Sequence, residues 1–142
     1  MMTFKQYEKG LGDSSKFVFT NRNPDGRCTG DCSTRAISGA LGIPYDDALD
    51  EQCAVAKMTH YGITDSEVVA GVLSRHGWTG HKIGGAKAGE RRKSVEDIAL
   101  MYRHTTVVIR AAHHWTMARY GVIEDIWNCS RKTAYGFYVK AD

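Results

Sequence analysis

The sequence predicts an α+β protein in which helices precede a carboxy-terminal antiparallel sheet. Two observations support this fold class. Apolar residues recur at helical spacing through much of residues 32–101, whereas β-branched and aromatic residues dominate residues 105–140. Helices that come before the strands, rather than alternating with them, are typical of α+β domains.

Length and composition predict one ordinary globular domain that spans residues 1–142. The 142 residues are 42% hydrophobic and 25% charged, which argues against fibrous and disordered classes. The net charge of +3 is too small to indicate a nucleic-acid partner. The first nine residues lack the apolar segment of a secretory signal, and no stretch is long enough to span a membrane. With four cysteines and no export signal, we expect free thiols in a cytoplasmic protein.

The first two predicted helices are separated by a glycine and a proline. Apolar residues recur at helical spacing after Cys32, so the first helix begins there and ends near Gly42. Pro44 fits the first turn of a second helix that runs to about Thr59. Upstream, the turn-rich segment 21–26 brings the chain to the first helix.

Two further helices flank a glycine-rich basic segment. Thr64 and Glu67 have the spacing of a capping box and start a helix that stops at Gly77. Ser94 opens the fourth helix. Residues 79–93 have neither helical nor strand periodicity, and we interpret them as a surface loop. The alternative is a lid or a contact for an acidic partner.

The last third of the chain contains four strand-like runs with short connections between them. Such runs favour an antiparallel sheet. Because neighbouring residues of a strand face opposite ways, His113 and His114 are expected on opposite faces of this sheet. The four runs are 105–111, 115–120, 122–127 and 134–140.

Cys32 stands where a helix begins, which is where a thiolate forms most easily. Unpaired backbone N–H groups and the helix dipole favour an anion there and lower the thiol pKa. Thiol catalysis also needs a base and a group that orients the base. His114, or its neighbour His113, opens one predicted strand, and Asp125 lies at the end of the next. Asn128 is the alternative orienting residue.

Two motifs in this region carry a family resemblance. They are Asp31-Cys32-Ser33-Thr34-Arg35-Ala36-Ile37 and Gly121-Val122-Ile123-Glu124-Asp125-Ile126-Trp127. With a histidine strand before the second motif, the chain resembles the papain-like cysteine peptidases, especially small proteins of that type common in bacteriophages.

The resemblance covers residues 17–54 and 106–139. It implies a papain-like fold in which Cys32 is the nucleophile, His114 the base and Asp125 the orienting residue. The implied activity is that of a peptidase or isopeptidase that forms a thioester with a protein or peptide substrate. The resemblance implies no metal and no cofactor.

One feature of the family pattern is missing from this chain. Papain-like enzymes place a glutamine or a similar donor shortly before the nucleophile to hold the oxyanion, and residues 21–31 contain no glutamine. Asn21 or Asn23 would have to substitute, although amides in such turns more often bond their own backbone.

Other functions would use the same residues. The triplet 31–33 also resembles the NlpC-type cell-wall endopeptidases, but Thr34 stands where their motif has glycine. A transglutaminase-like acyl transferase would differ only in the acceptor, and a catalytically silent member of the fold would bind a host protein. A zinc site is not expected, because Cys28 and Cys32 lie four residues apart without a second close pair of ligands.

Overall fold

The computed structural model of the chain describes residues 16–141, so the first nine residues, predicted to carry no signal, lie outside the described part. Within it there are four helices and six strands, an α+β architecture as predicted. No helix of residues 16–141 combines the length and the apolar composition that crossing a membrane requires. The helices are α1 (Cys32–Leu41), α2 (Tyr45–Thr59), α3 (Ser66–Arg75) and α4 (Val95–Met101). The strands are β1 (Phe17–Phe19), β2 (Trp78–Lys82), β3 (Thr106–Ala111), β4 (His114–Arg119), β5 (Val122–Asp125) and β6 (Ala134–Lys140).

The six strands form one mixed sheet in the order β1-β5-β4-β3-β6-β2. β1 runs parallel to β5, while the other neighbouring strands are antiparallel. The four carboxy-terminal strands pair antiparallel as predicted, but the sheet is mixed because it also includes the parallel edge strand β1. Short local connections enforce antiparallel pairing among β3, β4 and β5. β1 comes from a distant part of the chain, and its three residues carry no pattern that fixes the direction of its partner.

The sheet is covered on both faces, and its strand alternation divides the core in two. On one face, apolar residues of α1, α2 and α3 pack against Val108, Trp115 and Met117. On the other face, Val95 and Ile98 of α4 pack with residues such as Val107, Ile109, Ala118 and Ile123 of the strands. Because Val107 and Val108 are neighbours on one strand, their side chains enter different halves of the core.

The ends of α1 and α4 follow their sequence signals. α1 stops at Gly42, which adopts the left-handed conformation at φ 67° and donates its N–H to the carbonyl of Ser38. α4 starts with a complete capping box between Ser94 and Asp97. Local backbone and side-chain interactions therefore fix the end of α1 and the start of α4.

The capping box predicted at Thr64 and Glu67 does not start α3. The N-cap is Asp65, and its carboxylate accepts a hydrogen bond from the Gly62 N–H at 2.8 Å, without a side-chain cap on the helix. The buried face of α3 agrees with the prediction, because it was predicted from the spacing of apolar residues and does not depend on the cap. These residues are Val68, Val69, Val72 and Leu73.

β2 begins at Trp78 and extends into the segment 79–93, for which no strand was predicted. Its five residues pair with β6, and only Trp78 among them is buried. The other residues are exposed, so the strand is specified by backbone pairing at a sheet edge and leaves no apolar alternation in the sequence.

Candidate active site

The amino end of α1 presents Cys32 to an open cleft. Cys32 is the first residue of the helix and is half-buried. The side chain of Asp31 at the N-cap position does not cap the helix, because it is engaged elsewhere. The Asp31 carboxylate therefore does not occupy the first-turn N–H groups, which with the helix dipole favour an anion at the thiol.

His114 and Asp125 meet where two neighbouring interior strands of the sheet begin and end. β4 begins with His114 and β5 ends with Asp125, and because these strands are antiparallel neighbours their two ends lie side by side. The imidazole Nε2 and the carboxylate Oδ2 are 2.7 Å apart. Both residues are buried, Asp125 almost completely at 1% exposure. With Nε2 bonded to the carboxylate, Nδ1 is the ring nitrogen left for the thiol.

The structure brings a fourth charged group, Arg35, into this cluster. Arg35 lies one turn after Asp31 on α1, and its Nε donates to Asp31 Oδ1 at 2.8 Å. Its Nη1 donates to Asp125 Oδ1 at 2.7 Å. Asp31 also accepts hydrogen bonds from the Tyr45 hydroxyl at 2.8 Å and the Asn23 amide at 3.0 Å. The buried guanidinium thus ties the nucleophile helix to the strand that carries the orienting carboxylate.

These contacts shift the pKa values of Cys32, His114 and Asp125 so that the charged form of each group is favoured. Burial raises the pKa of the Cys32 thiol, but hydrogen bonds to His114 and the Trp115 backbone, with the charges of His114 and Arg35, together outweigh this, so the net pKa is lowered. Burial lowers the pKa of His114, but hydrogen bonds to Asp125, Cys129 and Cys32, with the charge of Asp125, together raise it to about 11. The pKa of Asp125 falls to about 2, since hydrogen bonds from His114 and Arg35 oppose its burial. The arrangement favours a thiolate beside an imidazolium.

Trp127 and Cys129 complete the surroundings of the imidazole. The indole of Trp127 lies with its centroid 4.9 Å from that of the His114 ring, at an interplanar angle of 54°. The buried thiol of Cys129 lies 3.5 Å from Asp125 Oδ2 and donates to it. Both side chains therefore flank the His114–Asp125 hydrogen bond.

The asparagines considered as oxyanion donors (Asn21 and Asn23) or as the alternative orienting residue (Asn128) form hydrogen bonds with other groups. The Asn21 amide donates to the Arg27 carbonyl at 3.0 Å, and Asn23 donates to Asp31, so both amides hold the loop before α1. Asn128 is exposed, and its side-chain oxygen accepts from the Ser130 N–H at 3.1 Å, not from His114.

His113 does not lie on the strand, contrary to expectation. It occupies the turn before β4 in a left-handed conformation with φ 50° and is exposed. The predicted opposition of His113 and His114 across the sheet is therefore wrong, because β4 begins one residue later than the alternation required.

The thiol faces an open cleft of about 600 Å³. One wall comes from the loop before α3, with Asp65 and Ser66, and the other from the β3–β4 turn and Tyr135. Cys32 and His114 both line it. A cleft of this size accommodates several residues of an extended chain, and no closed pocket surrounds the thiol.

Among residues 16–141, one group of side chains has donor atoms close enough for a metal ion. The donor atoms of His114, Asp125 and Cys129 lie within 4.8 Å of one another. The imidazole and the carboxylate are already bonded to each other, and the guanidinium of Arg35 adds a positive charge beside them. This environment favours an internal ion-pair network over a bound cation.

No family model, curated protein or solved structure matches the chain. The geometry above is therefore the basis for any statement about function.

Sequence reasoning did not identify Arg35, Trp127 or Cys129 as parts of the site. Arg35 belonged to the first motif, and its spacing of four residues from the N-cap Asp31 indicates a local ion pair. Its contact with Asp125, ninety positions further along the chain, has no signature in a single sequence.

Proposed function

We propose that the protein is a cysteine hydrolase that acts on acyl groups of peptides or proteins, with a papain-like arrangement of nucleophile, base and orienting carboxylate. The observation that carries this proposal is that Cys32 and His114 line the same open cleft while the His114 imidazole is hydrogen-bonded to the buried Asp125. Each group has the polarity that its role requires, since the thiol is made more acidic and the imidazole more basic.

In the proposed reaction, Nδ1 of His114 takes the thiol proton, and the Cys32 sulfur attacks the acyl carbon. The carbonyl electron pair moves to oxygen, and the N–H of Cys32 at the uncapped start of α1 stabilises that oxyanion. When the tetrahedral intermediate collapses, the bond to the leaving amine breaks and His114 gives its proton to that nitrogen. A thioester on Cys32 remains.

Water completes the cycle. His114 removes a proton from a water molecule, the oxygen attacks the thioester carbon, and the C–S bond breaks. The proton returns to the sulfur, and a carboxylic acid leaves the cleft. Asp125 keeps the imidazole in one orientation and compensates its positive charge during both steps.

The test uses p-nitrophenyl acetate as a simple acyl donor and iodoacetamide as a thiol reagent. We expect a burst of p-nitrophenol with an acetyl adduct on the peptide that contains Cys32. We also expect alkylation of Cys32 at pH 6 ahead of the exposed thiols Cys28 and Cys53. His114→Asn should abolish both, whereas the matched control His113→Asn should not, since asparagine tolerates the left-handed turn position. If Cys32 reacts like the two exposed thiols in wild type, the proposed function is wrong and a binding role takes its place.

A further inference from the structure

The cleft at Cys32 continues into a second groove along the sheet. This groove has a volume of about 340 Å³ and lies beside the carboxy-terminal half of α3. Arg110 and Tyr135 line both cavities, so the two spaces share a wall. A chain that lies in the cleft can therefore extend over the strands β3, β6 and β2.

The strand register puts two cations on the floor of this groove with a glycine between them. Trp115 pairs with Arg110, Arg110 pairs with Gly136, and Gly136 pairs with Lys82. Paired residues of neighbouring strands share a face, so these four form one row across β4, β3, β6 and β2. Gly136 places no side chain between those of Arg110 and Lys82, and a Cβ built there would meet the His81 backbone oxygen at 3.1 Å.

Neither cation is neutralised by the protein itself. Arg110 and Lys82 are exposed, and neither forms an ion pair with another residue of the described range 16–141. No described residue that lines the groove carries a carboxylate. His81 does not add a third cation, because its ring stacks on Phe137 at 5.1 Å on the other face of the sheet.

The row begins close to the thiol. Cys32 packs against the apolar cluster that contains Trp115, and both residues line the first cleft. Neighbouring strands lie about 4.8 Å apart, so Gly136, two strands further, is about 10 Å from Trp115. An extended peptide advances about 3.3 Å per residue, and this separation therefore corresponds to about three residues.

We propose that Arg110 and Lys82 form a specificity site for an acidic side chain about three residues from the acyl group that Cys32 attacks. The substrate class is then an acidic peptide segment, whose carboxylate lies over Gly136 between the two cations. This inference rests on the proposed function for the identity of the reacting group, but the site is defined by charge and register alone.

The test compares two reagents that differ in one charge. Iodoacetyl-Gly-Gly-Glu-amide carries a carboxylate at the required separation, and iodoacetyl-Gly-Gly-Gln-amide has the same shape without it. The ratio of their second-order rate constants is measured by peptide mapping at Cys32, with the exposed Cys53 in the same molecule as the internal control. The variants are the double variant Arg110→Gln/Lys82→Gln and, as a control for loss of a positive charge away from the groove, Lys57→Gln on α2. All three positions are exposed, so the fold should be unaffected.

We expect the Glu reagent to alkylate Cys32 about three to ten times faster than the Gln reagent at low ionic strength, as for a partly exposed ion pair. The preference should fall with added salt, disappear in the double variant and persist in Lys57→Gln. A Glu/Gln ratio at Cys32 no larger than the ratio at Cys53, or one that survives in the double variant, overturns the inference. Failure of the proposed function would be seen separately, as an absolute rate at Cys32 equal to that at Cys53 with either reagent.

Discussion

Replacement of Arg35 by methionine tests the network that joins the nucleophile helix to the orienting strand. Methionine keeps much of the length of the side chain and removes the charge. In wild type, Asp31 and Asp125 are buried at 8% and 1% exposure, and each receives one hydrogen bond from the guanidinium. The substitution leaves two buried carboxylates without their shared cation.

The loss of unfolding free energy depends on the hydrogen bonds that Asp31 and Asp125 retain in Arg35→Met. Removal of one partner from a buried ion pair typically costs about 3–5 kcal/mol. Asp31 retains its hydrogen bonds from Tyr45 and Asn23, and Asp125 retains His114 and the Ile126 N–H. We therefore expect the lower end, about 3 kcal/mol of unfolding free energy. For a chain of 142 residues this corresponds to a fall in Tm of about 10 °C.

The loss of unfolding free energy in Arg35→Met should be greater at neutral pH than at acidic pH. Burial raises the pKa of both carboxyls, but hydrogen bonds, including those from Arg35, lower them overall, to about 2 for Asp125. A depressed pKa stabilises the folded state above the unfolded pKa of about 3.9 and ceases to do so as pH falls through the folded value. In the variant, protonation relieves the unpaired charge, so the difference from wild type should be largest at pH 7 and shrink toward pH 4.

Urea unfolding followed by circular dichroism at pH 7, 5 and 4 measures this difference. Arg75→Met is the control, because Arg75 is exposed and contacts only the sulfur of Met58 through its guanidinium among the described residues. That variant should stay within about 0.5 kcal/mol of wild type. The reasoning is refuted if Arg35→Met also stays within that range, or if its deficit grows as the pH falls.

Two further predictions concern the orienting residue and a helix cap. Asp125→Asn should reduce alkylation of Cys32 at neutral pH roughly ten- to a thousandfold, measured by rate, while Asn128→Ala stays near wild type. Asp125→Asn should also lower Tm, because Arg35 loses a charged partner. If Asn128→Ala instead abolishes the alkylation and Asp125→Asn leaves it unchanged, Asn128 is the orienting residue. Ser94→Ala should cost about 1 kcal/mol in urea unfolding through loss of the α4 capping box, and no change would show that Asp97 alone caps the helix.

The helices of this fold were predictable because their signals are local. The buried residues Val68, Val69, Val72 and Leu73 recur at helical spacing, and glycine ends α1 where the backbone requires a left-handed residue. β2 and the parallel pairing of β1 were not predictable from such signals. An exposed edge strand has no apolar alternation, and the partner of a short strand is decided by distant backbone groups.

The candidate site was predictable in its residues and not in its connections. The family resemblance assigned Cys32, His114 and Asp125; Cys32 and His114 line one cleft and His114 bonds Asp125, while their catalytic roles remain predictions. The amide donors were harder to judge, because a turn can hold an asparagine side chain in several ways. Asn23 illustrates this, since its amide bonds Asp31 instead of facing the cleft.

The charges of the cluster suggest why Arg35 belongs to the site and not only to the fold. Asp125 binds Arg35 through one oxygen and His114 through the other, so its charge is shared between two cations. Transfer of the Cys32 proton to His114 converts a neutral pair into a thiolate and an imidazolium without changing the net charge of the cluster. Arg35 lowers the pKa of the thiol in addition to pairing with both carboxylates, and so favours the charged form of the pair. A neutral residue at position 35 should therefore raise the pKa of Cys32 even where the helix and the strand keep their places, which separates an electrostatic role of the guanidinium from a purely structural one.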